Sequence, residues 1–486
     1  MTGITVGGGR PEPAGPGAVS PAPQLPPAVA AEHQAAVAAL RESYAALPAG
    51  APVRLAKRTS NLFRFRDANA RPGDGSYAGL DVSAFDHVLS VDPDARVAVV
   101  GGMTTYEALC DATLEYGLMP LVVPQLKTIT LGGAVSGLGI ESTSLRNGMP
   151  HESVLAMEIL TGDGRVVTAT ADGEHADLFA GFPNSYGTLG YALSLTIELE
   201  PVHPFVHLRH FPFADPGACM DAIAEIAAEG SYAGHQADFV DGVAFGPDEL
   251  YLTVGAYSDI APWRSDYTGK DIYYTSIRGP HEDFLAIRDY LWRWDTDWFW
   301  CSRPFGMQNP LIRSLWPRRY RRSDVYRKLV ALDHRLGLTA ALNEGRQRPA
   351  REDVIQDVEI AVERGADFLA FFAGQVGMSP VWLCPLRLRG DREWTLYPLK
   401  PGEVYVNFGF WGQVPLPSGR ADGYYNRLIE DEVGALGGHK SLYSTSFYTE
   451  DDFNQLYNGA AQEKLKREYD PSGRLPGLYD KCVRGR

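Results

Sequence analysis

The chain has 486 residues, enough for two or three domains at roughly 150 residues each. With 45% apolar and 22% charged residues the composition is that of an ordinary globular protein, which excludes a fibrous or wholly disordered chain. Sixty acidic against 45 basic residues leave a net charge of -15, which argues against a dedicated nucleic-acid binder. Cys110, Cys219, Cys301, Cys384 and Cys482 are widely spaced and form no CxxC pair. That fits a reducing, cytoplasmic setting without structural disulfides or a zinc finger.

Residues 1–30 are rich in Pro, Gly and Ala and are expected to form a disordered leader without the pattern of a signal peptide. Ala31–Leu47 has helix composition, with Val37, Leu40, Tyr44 and Leu47 on one stripe. Val53–Phe65 ends in a polar cluster that contains Arg58, Thr59, Ser60 and Asn61. Val97 and Val99 mark a short strand, and Thr104 to Glu107 reads as a capping box before a helix that stops at Gly117. Residues 154–160 and 165–170 flank Gly162-Asp163-Gly164, a hairpin with Asp-Gly at its turn. A further alternating strand covers 191–201, so about 45–203 reads as one α+β unit.

From about 204 strand-like and helix-like runs alternate and aromatic residues crowd together, with Trp292, Trp294, Trp298 and Trp300 inside nine positions. This is a second unit, a sheet covered by helices, and its tryptophans suit either a cavity wall or a packed core. Arg318, Arg319, Arg321 and Arg322 form a basic run expected to be a solvated face. Phe368–Leu386 carries no charge, but Gly374, Gln375, Gly377, Ser379 and Pro380 interrupt it, so buried strands and a turn are expected rather than a membrane span. In a strand His203 and His207 point one way and His210 the other, so the three are expected to be structural and not metal-ligating, and Cys384 is expected to be a small buried residue.

Three segments carry chemistry. Thr128-Ile129-Thr130-Leu131-Gly132-Gly133, continuing through Ser136, Gly137 and Gly139 to Glu141 and Ser142, offers backbone N–H groups that an anion can approach closely, because no Cβ intervenes. The spacing is neither that of a dinucleotide fold nor that of a P-loop, and a tight turn packed under a helix fits equally. Arg58-Thr59-Ser60-Asn61 is a second polar turn suited to a pyrophosphate. Gly187-Thr188-Leu189-Gly190 is a third, before a strand, where a loop could lie against a flat ligand.

In this order the three segments resemble the FAD-binding domain of the vanillyl-alcohol oxidase family, also called the PCMH type. Residues 304–310, 354–360, 380–385 and 442–482 extend the resemblance to the delta(24)-sterol reductase (Diminuto/seladin) family, from about residue 85 to the end and patchily over 205–290. The resemblance implies an α+β fold. A two-part FAD-binding domain, 31–203 plus a returning segment 435–486, would enclose a substrate or cap domain, 204–434, with a mainly antiparallel sheet. It implies non-covalent FAD held by Arg58, Thr59, Ser60, Asn61, Thr128, Thr130, Gly132, Gly133, Ser136, Gly137, Gly139, Glu141, Ser142, Gly187, Thr188 and Gly190.

It further implies that Tyr443 and Lys440 lie over the flavin, and that Gln356 and Asp357 polarise the substrate. The activity implied is hydride transfer through flavin N5 to or from a carbon–carbon double bond of a hydrophobic small molecule, with NADPH as a transient donor. An FAD-dependent alcohol oxidase or dehydrogenase and a non-catalytic flavin-binding protein stay open as alternatives. No partner nucleic acid and no transmembrane segment are expected, and the oligomeric state is not readable.

Overall fold

The computed structural model describes residues 25–48, 50–57, 62–63, 79–336 and 350–485. The expected leader at 1–24 and the polar turn Arg58–Asn61 lie outside the described residues. The first helix is Pro27–Ala45, so it begins inside the stretch expected as leader. A proline is accommodated there because first-turn N–H groups have no intrahelical acceptor. Leu40 and Tyr44 of the expected stripe are buried, and Val37 and Leu47 pack beside them.

The N-terminal unit is built on a six-stranded sheet. Its strands are β1 (Val88–Asp92), β2 (Val97–Gly101), β3 (Leu118–Pro120), β4 (Val154–Thr161), β5 (Val166–Thr170) and β6 (Gly190–Pro201). The order is β1-β2-β6-β4-β5, with β3 paired to the end of β6. The β4–β5 hairpin forms as expected, with Leu160 opposite Val166 and Gly164 at φ 85° in the turn. The helix after β2 is Tyr106–Leu114, capped by the hydroxyl of Thr105, which accepts from Ala108 N–H. The expected capping box from Thr104 is therefore displaced by one residue, and Glu107 instead pairs with Arg322 and Lys127.

The second unit is organised by an eight-stranded sheet. Along the chain come β7 (Phe205–Phe213), a small hairpin of β8 (Ser231–Tyr232) and β9 (His235–Gln236), β10 (Phe239–Gly246), β11 (Glu249–Ser258) and β12 (Glu282–Ala286). They are followed by β13 (Arg351–Ala361), β14 (Val381–Leu386), β15 (Tyr405–Pro415) and β16 (His439–Lys440). The sheet order is β12-β7-β11-β10-β14-β15-β13-β16, and every pairing is antiparallel. The uncharged run 368–386 is only half strand: its first part belongs to the helix Gly365–Phe371 and the turn after it, and β14 supplies the rest.

Side-chain alternation sorts the central strands of this sheet. Val354, Val358, Leu383, Phe408 and Phe410 point to one face and pack under the helices 216–229, 365–371 and 424–435. Asp357, Trp382, Asn407 and Trp411 point to the other face, toward the N-terminal unit. Past 434 the chain first adds β16 to the edge of the eight-stranded sheet. It then reaches the N-terminal unit, where Val53 N–H donates to Arg474 O and Lys466 Nζ to Thr188 O. Among the described residues no helix is long and apolar enough to cross a membrane.

Candidate functional site

A cavity of about 830 Å³ lies between the two sheets. That is within the roughly 300–1,000 Å³ of small-molecule sites. The glycine segment forms one wall. Its helix, Leu131–Gly137, starts at Thr130, whose hydroxyl accepts from Gly133 N–H at 3.2 Å. Gly132 sits so close to the chain turn after β2 that a Cβ would lie 2.7 Å from Gly102 O. At Gly137 a Cβ would press on the Tyr186 ring, 3.1 Å away. The glycines are thus required by neighbours within the protein as well as by any ligand in the cavity.

Of the expected cofactor residues, Thr128, Thr130, Gly132, Gly133, Ser136, Gly137, Gly139, Gly187 and Gly190 line this cavity. Three do not. Glu141 and Ser142 point into the cap, where Glu141 accepts from Arg293 at 3.0 Å and Ser142 hydrogen-bonds Tyr290 at 2.8 Å. Thr188 is buried in its own turn, its hydroxyl donating to Ser185 O. Arg293, fully buried, also donates to Asp241 at 2.7 Å and lies over the Tyr290 ring at 3.9 Å. Burial raises the Glu141 carboxyl, and the Arg293 cation opposes that rise. The two residues following the glycine loop therefore clamp it to the cap, and Val240 N–H donating to Ser142 O adds a backbone tie.

Basic residues that the sequence reading passed over also face the cavity: Arg54, Lys57, Arg474 and Lys481. Lys481 Nζ donates to Tyr186 O, and Arg474 Nε to Ala51 O. Arg474 Nη2 is buried with no acceptor among the described residues. The guanidinium lies over the Tyr44 ring at 4.5 Å, and its positive charge beside the cavity fits an anionic group such as a pyrophosphate. Arg474 and Lys481 come from the last fifteen residues, so only the folded chain brings them to a loop more than 300 positions earlier.

The opposite wall is aromatic and acidic. Trp298 and Phe299 line it with Trp382 and Trp411, whereas Trp292, Trp294 and Trp300 pack in the core behind. The tryptophan cluster is thus both wall and core. Asp357 stands on β13 opposite Gly409 of β15, where any Cβ would fall 2.4 Å from its Oδ1. The carboxyl accepts from Asn407 Nδ2 at 3.0 Å, and the Tyr443 phenol lies near it. Tyr443 Oη in turn accepts from Trp411 Nε1 at 2.8 Å. Removal from bulk water pushes the Asp357 carboxyl up to about 6, against Asn407 and Tyr443, which favour its anion. Burial, then the nearby Asp357, raise the Tyr443 phenol well above its ordinary value.

Two expected catalytic residues are elsewhere. Gln356, adjacent to Asp357, points to the helix-covered face and donates to Asn426 Oδ1 at 2.7 Å. A strand cannot present neighbours to one face. Lys440 is fully buried behind the cavity wall, and its Nζ contacts Glu430 Oε1 at 2.7 Å and Thr445 O at 2.6 Å. It does not line the cavity. His151, just beyond the glycine segment, is also off the wall, packed edge-on to Trp394 at 4.5 Å.

Comparison with known proteins accords with this geometry. Residues 29–170 match the family described as FAD binding domain. The chain is 26% identical to the delta(24)-sterol reductase of Mus musculus over 412 residues, covering 82% of this chain and 76% of that protein. It is 25% identical to the delta(24)-sterol reductase of Arabidopsis thaliana over 447 residues, covering 84% and 77%. A shorter likeness, 32% over 134 residues, joins it to decaprenylphosphoryl-beta-D-ribose oxidase of Mycolicibacterium smegmatis, covering 27% of this chain and 28% of that protein. The chain is thus related to FAD-binding oxidoreductases that include sterol reductases and an oxidase.

Proposed function

We propose that this chain reduces, or in reverse forms, a carbon–carbon double bond in a lipophilic substrate, with FAD held non-covalently between its two units. The observation that carries the reading is the Asp357–Tyr443–Trp411 array on the wall of the same cavity as the glycine segment. Bound flavin would supply hydride transfer at N5. Thr128, Thr130, Gly132, Gly133, Ser136, Gly137 and Gly139, with Gly187 and Gly190, would hold it, and Arg474 and Lys481 supply positive charge for its phosphates. Arg58, Thr59, Ser60 and Asn61 are proposed to join them.

The phenol of Tyr443 keeps its proton near neutral pH and is therefore a donor, not a base. The Trp411 N–H fixes its oxygen, and Asp357, with a pKa of about 6, is suited to returning a proton to it. Trp298, Phe299, Trp382 and Trp411 exclude water and offer flat apolar surface to a hydrophobic substrate. The sterol reductases among the relatives support double-bond reduction. The oxidase likeness is confined to 134 residues and supports the flavin half alone.

Non-covalent attachment is supported by the glycine segment, whose residues 128–150 include no His, Cys or Tyr to which FAD could be attached, His151 just beyond it lying off the cavity wall. NADPH as a transient donor and a cytoplasmic setting belong to the same proposal. The test is a spectrum of the purified protein, acid precipitation, anaerobic titration with NADPH, and then exposure to air. Yellow colour in the supernatant, bleaching by NADPH and slow reoxidation are expected. Colour kept in the pellet would sink non-covalent binding. Indifference to NADPH together with reoxidation in seconds would favour an alcohol oxidase. Gly137→Val should purify without flavin, because its side chain would displace Tyr186 into the cavity.

A further inference from the structure

A second carboxyl shares the face of β13 that carries Asp357. Glu359 follows two residues later, so pleating turns it to the same side, and it is fully buried. β16 covers this edge of the sheet, with His439 opposite Glu359, whereas Lys440 turns the other way to Glu430. Gly438 lets the two strands close, since a Cβ there would fall 2.5 Å from Glu359 O. Ser441, one residue past the strand, gives its N–H to Asp357 O at 2.9 Å and stands with Asp357 on the cavity wall. Its hydroxyl hydrogen-bonds Glu359 Oε1 at 2.7 Å. A hydroxyl of the cavity wall therefore joins the site to a carboxyl that lies behind it.

The other oxygen of that carboxyl meets a histidine. Glu359 Oε2 and His439 Nε2 face each other at 3.4 Å, both buried and neither hydrogen-bonded among the described residues. Tyr397 packs edge-on against the His439 ring at 5.0 Å. Among the described residues neither Glu359 nor Asp357 is paired with a lysine or an arginine. Burial, and then the charge of Asp357, hold the Glu359 carboxyl well above its ordinary value, against the Ser441 hydrogen bond. Burial holds the His439 imidazole down to about 3, so the ring is neutral. The phenols of Tyr397, Tyr448 and Tyr457 nearby keep their protons and add no charge. Near neutral pH Asp357, at about 6, is thus the carboxyl short of a proton, and Glu359 is the one that keeps it.

We propose that Glu359 is the proton reserve of the cavity, reloading Asp357 through the hydroxyl of Ser441. The inference rests on the reading of Asp357 and Tyr443 as the groups that handle protons in the cavity. With its proton on Oε1, Glu359 donates to Ser441 Oγ across the 2.7 Å contact and leaves the serine O–H free to turn to Asp357. In the transfer the Glu359 O–H bond breaks as its proton passes to Ser441 Oγ, and the proton of Ser441 passes to Asp357. One carboxyl becomes an anion as the other becomes neutral, so the net charge is unchanged and the serine is regenerated. The serine hydroxyl then donates back to Oε1. His439 Nε2, 3.4 Å from Oε2, is placed to donate to that oxygen once the anion forms. This accounts for two buried polar atoms that face each other without bonding while Glu359 holds its proton.

The test reads the carboxyl directly and needs no substrate. Infrared spectra of the purified flavoprotein near neutral pH should show a protonated carboxyl stretch that E359Q removes. S441A should shift the same band, because the serine no longer bonds that group, so the band is identified even if E359Q folds poorly. After rapid mixing with heavy water, S441A should slow exchange of that proton at least about ten-fold relative to wild type, the worth of one hydrogen bond in the transfer. S441T, which keeps the hydroxyl, should restore the wild-type rate. Lost packing would loosen the fold and speed exchange, so a slowing is specific to the route. An unchanged E359Q spectrum, exchange in S441A at or above the wild-type rate, or no restoration by S441T would overturn the proposal. Slowed exchange together with wild-type turnover by Tyr443→Phe would instead sink the reading of the cavity and leave the route standing.

Discussion

Gln356 and Asp357 are neighbours on β13 and face opposite sides of the eight-stranded sheet. On the helix-covered side Gln356 donates to Asn426, and Glu352 accepts from the side chain and backbone of Asn426 and from the backbone of Tyr425. Gln356 Oε1 nevertheless has no partner among the described residues. On the cavity side the polar groups are arranged with valence to spare: Asn407 Oδ1 has no partner among the described residues, although its amide nitrogen serves Asp357. The same sheet thus turns Gln356 to a covering helix on one face and Asp357 to the cavity on the other. An unanswered buried polar atom does not by itself mark a site, since one stands on each face, and what separates the two is the cavity that Asn407 lines.

The largest expected effect is on the cavity side. Tyr443→Phe should retain FAD and slow turnover roughly 10²–10⁴-fold, the range for a lost general acid. Stopped-flow kinetics with wild-type rates would remove the cavity face from the chemistry and break the contrast. Lys440→Met should act on stability, lowering it by about 3–5 kcal/mol because Glu430 is left buried beside an apolar chain. Denaturant titration measures this, and an unchanged flavin reduction potential in the same variant confirms that Lys440 belongs to the structural side. Gln356→Leu should cost about 1–3 kcal/mol for the unanswered Asn426 Oδ1, with kcat of the folded protein unchanged.

Asp357 should give the smallest signal, in the pH dependence of stability. Its folded-state pKa, about 6, lies above the ordinary 3.8, so the folded protein holds the extra proton between those values. Stability should therefore fall as pH rises through roughly 4 to 6, an effect moderated by solvent in the cavity. Asp357→Asn should flatten that slope, as melting midpoints across the window would reveal.

Much of this was legible in the chain. The β4–β5 hairpin, the alternation of β6 and the glycine segment follow from local pattern, and most of the glycine segment reached the cavity. What local pattern could not supply was facing. Gln356-Asp357 reads as a pair, yet strand pleating allows one member into the site. The alternation of Asn407, Gly409 and Trp411 against Phe408 and Phe410 carries the signal for facing, and it was there to be read. Lys440, Glu141 and Thr188 looked like ligand groups because a motif does not record which neighbour already engages each side chain. Arg474 and Lys481 have no motif at all, and distance along the chain hid them.

The clamp of Glu141 by Arg293, which also holds Asp241, has a consequence for how such a chain can change over evolutionary time. Cofactor-binding and substrate-binding units are often treated as parts that recombine. Here the loop that would grip the cofactor ends in a carboxyl whose counter-charge is supplied by the second unit. Exchanging that unit for one lacking an equivalent of Arg293 would strand Glu141 in a dry interior, at about 3–5 kcal/mol. Viable chimaeras would have to carry the pair together or lose it together. Variation in substrate choice is therefore expected to accumulate within the aromatic wall, by single replacements, and not by wholesale replacement of the cap.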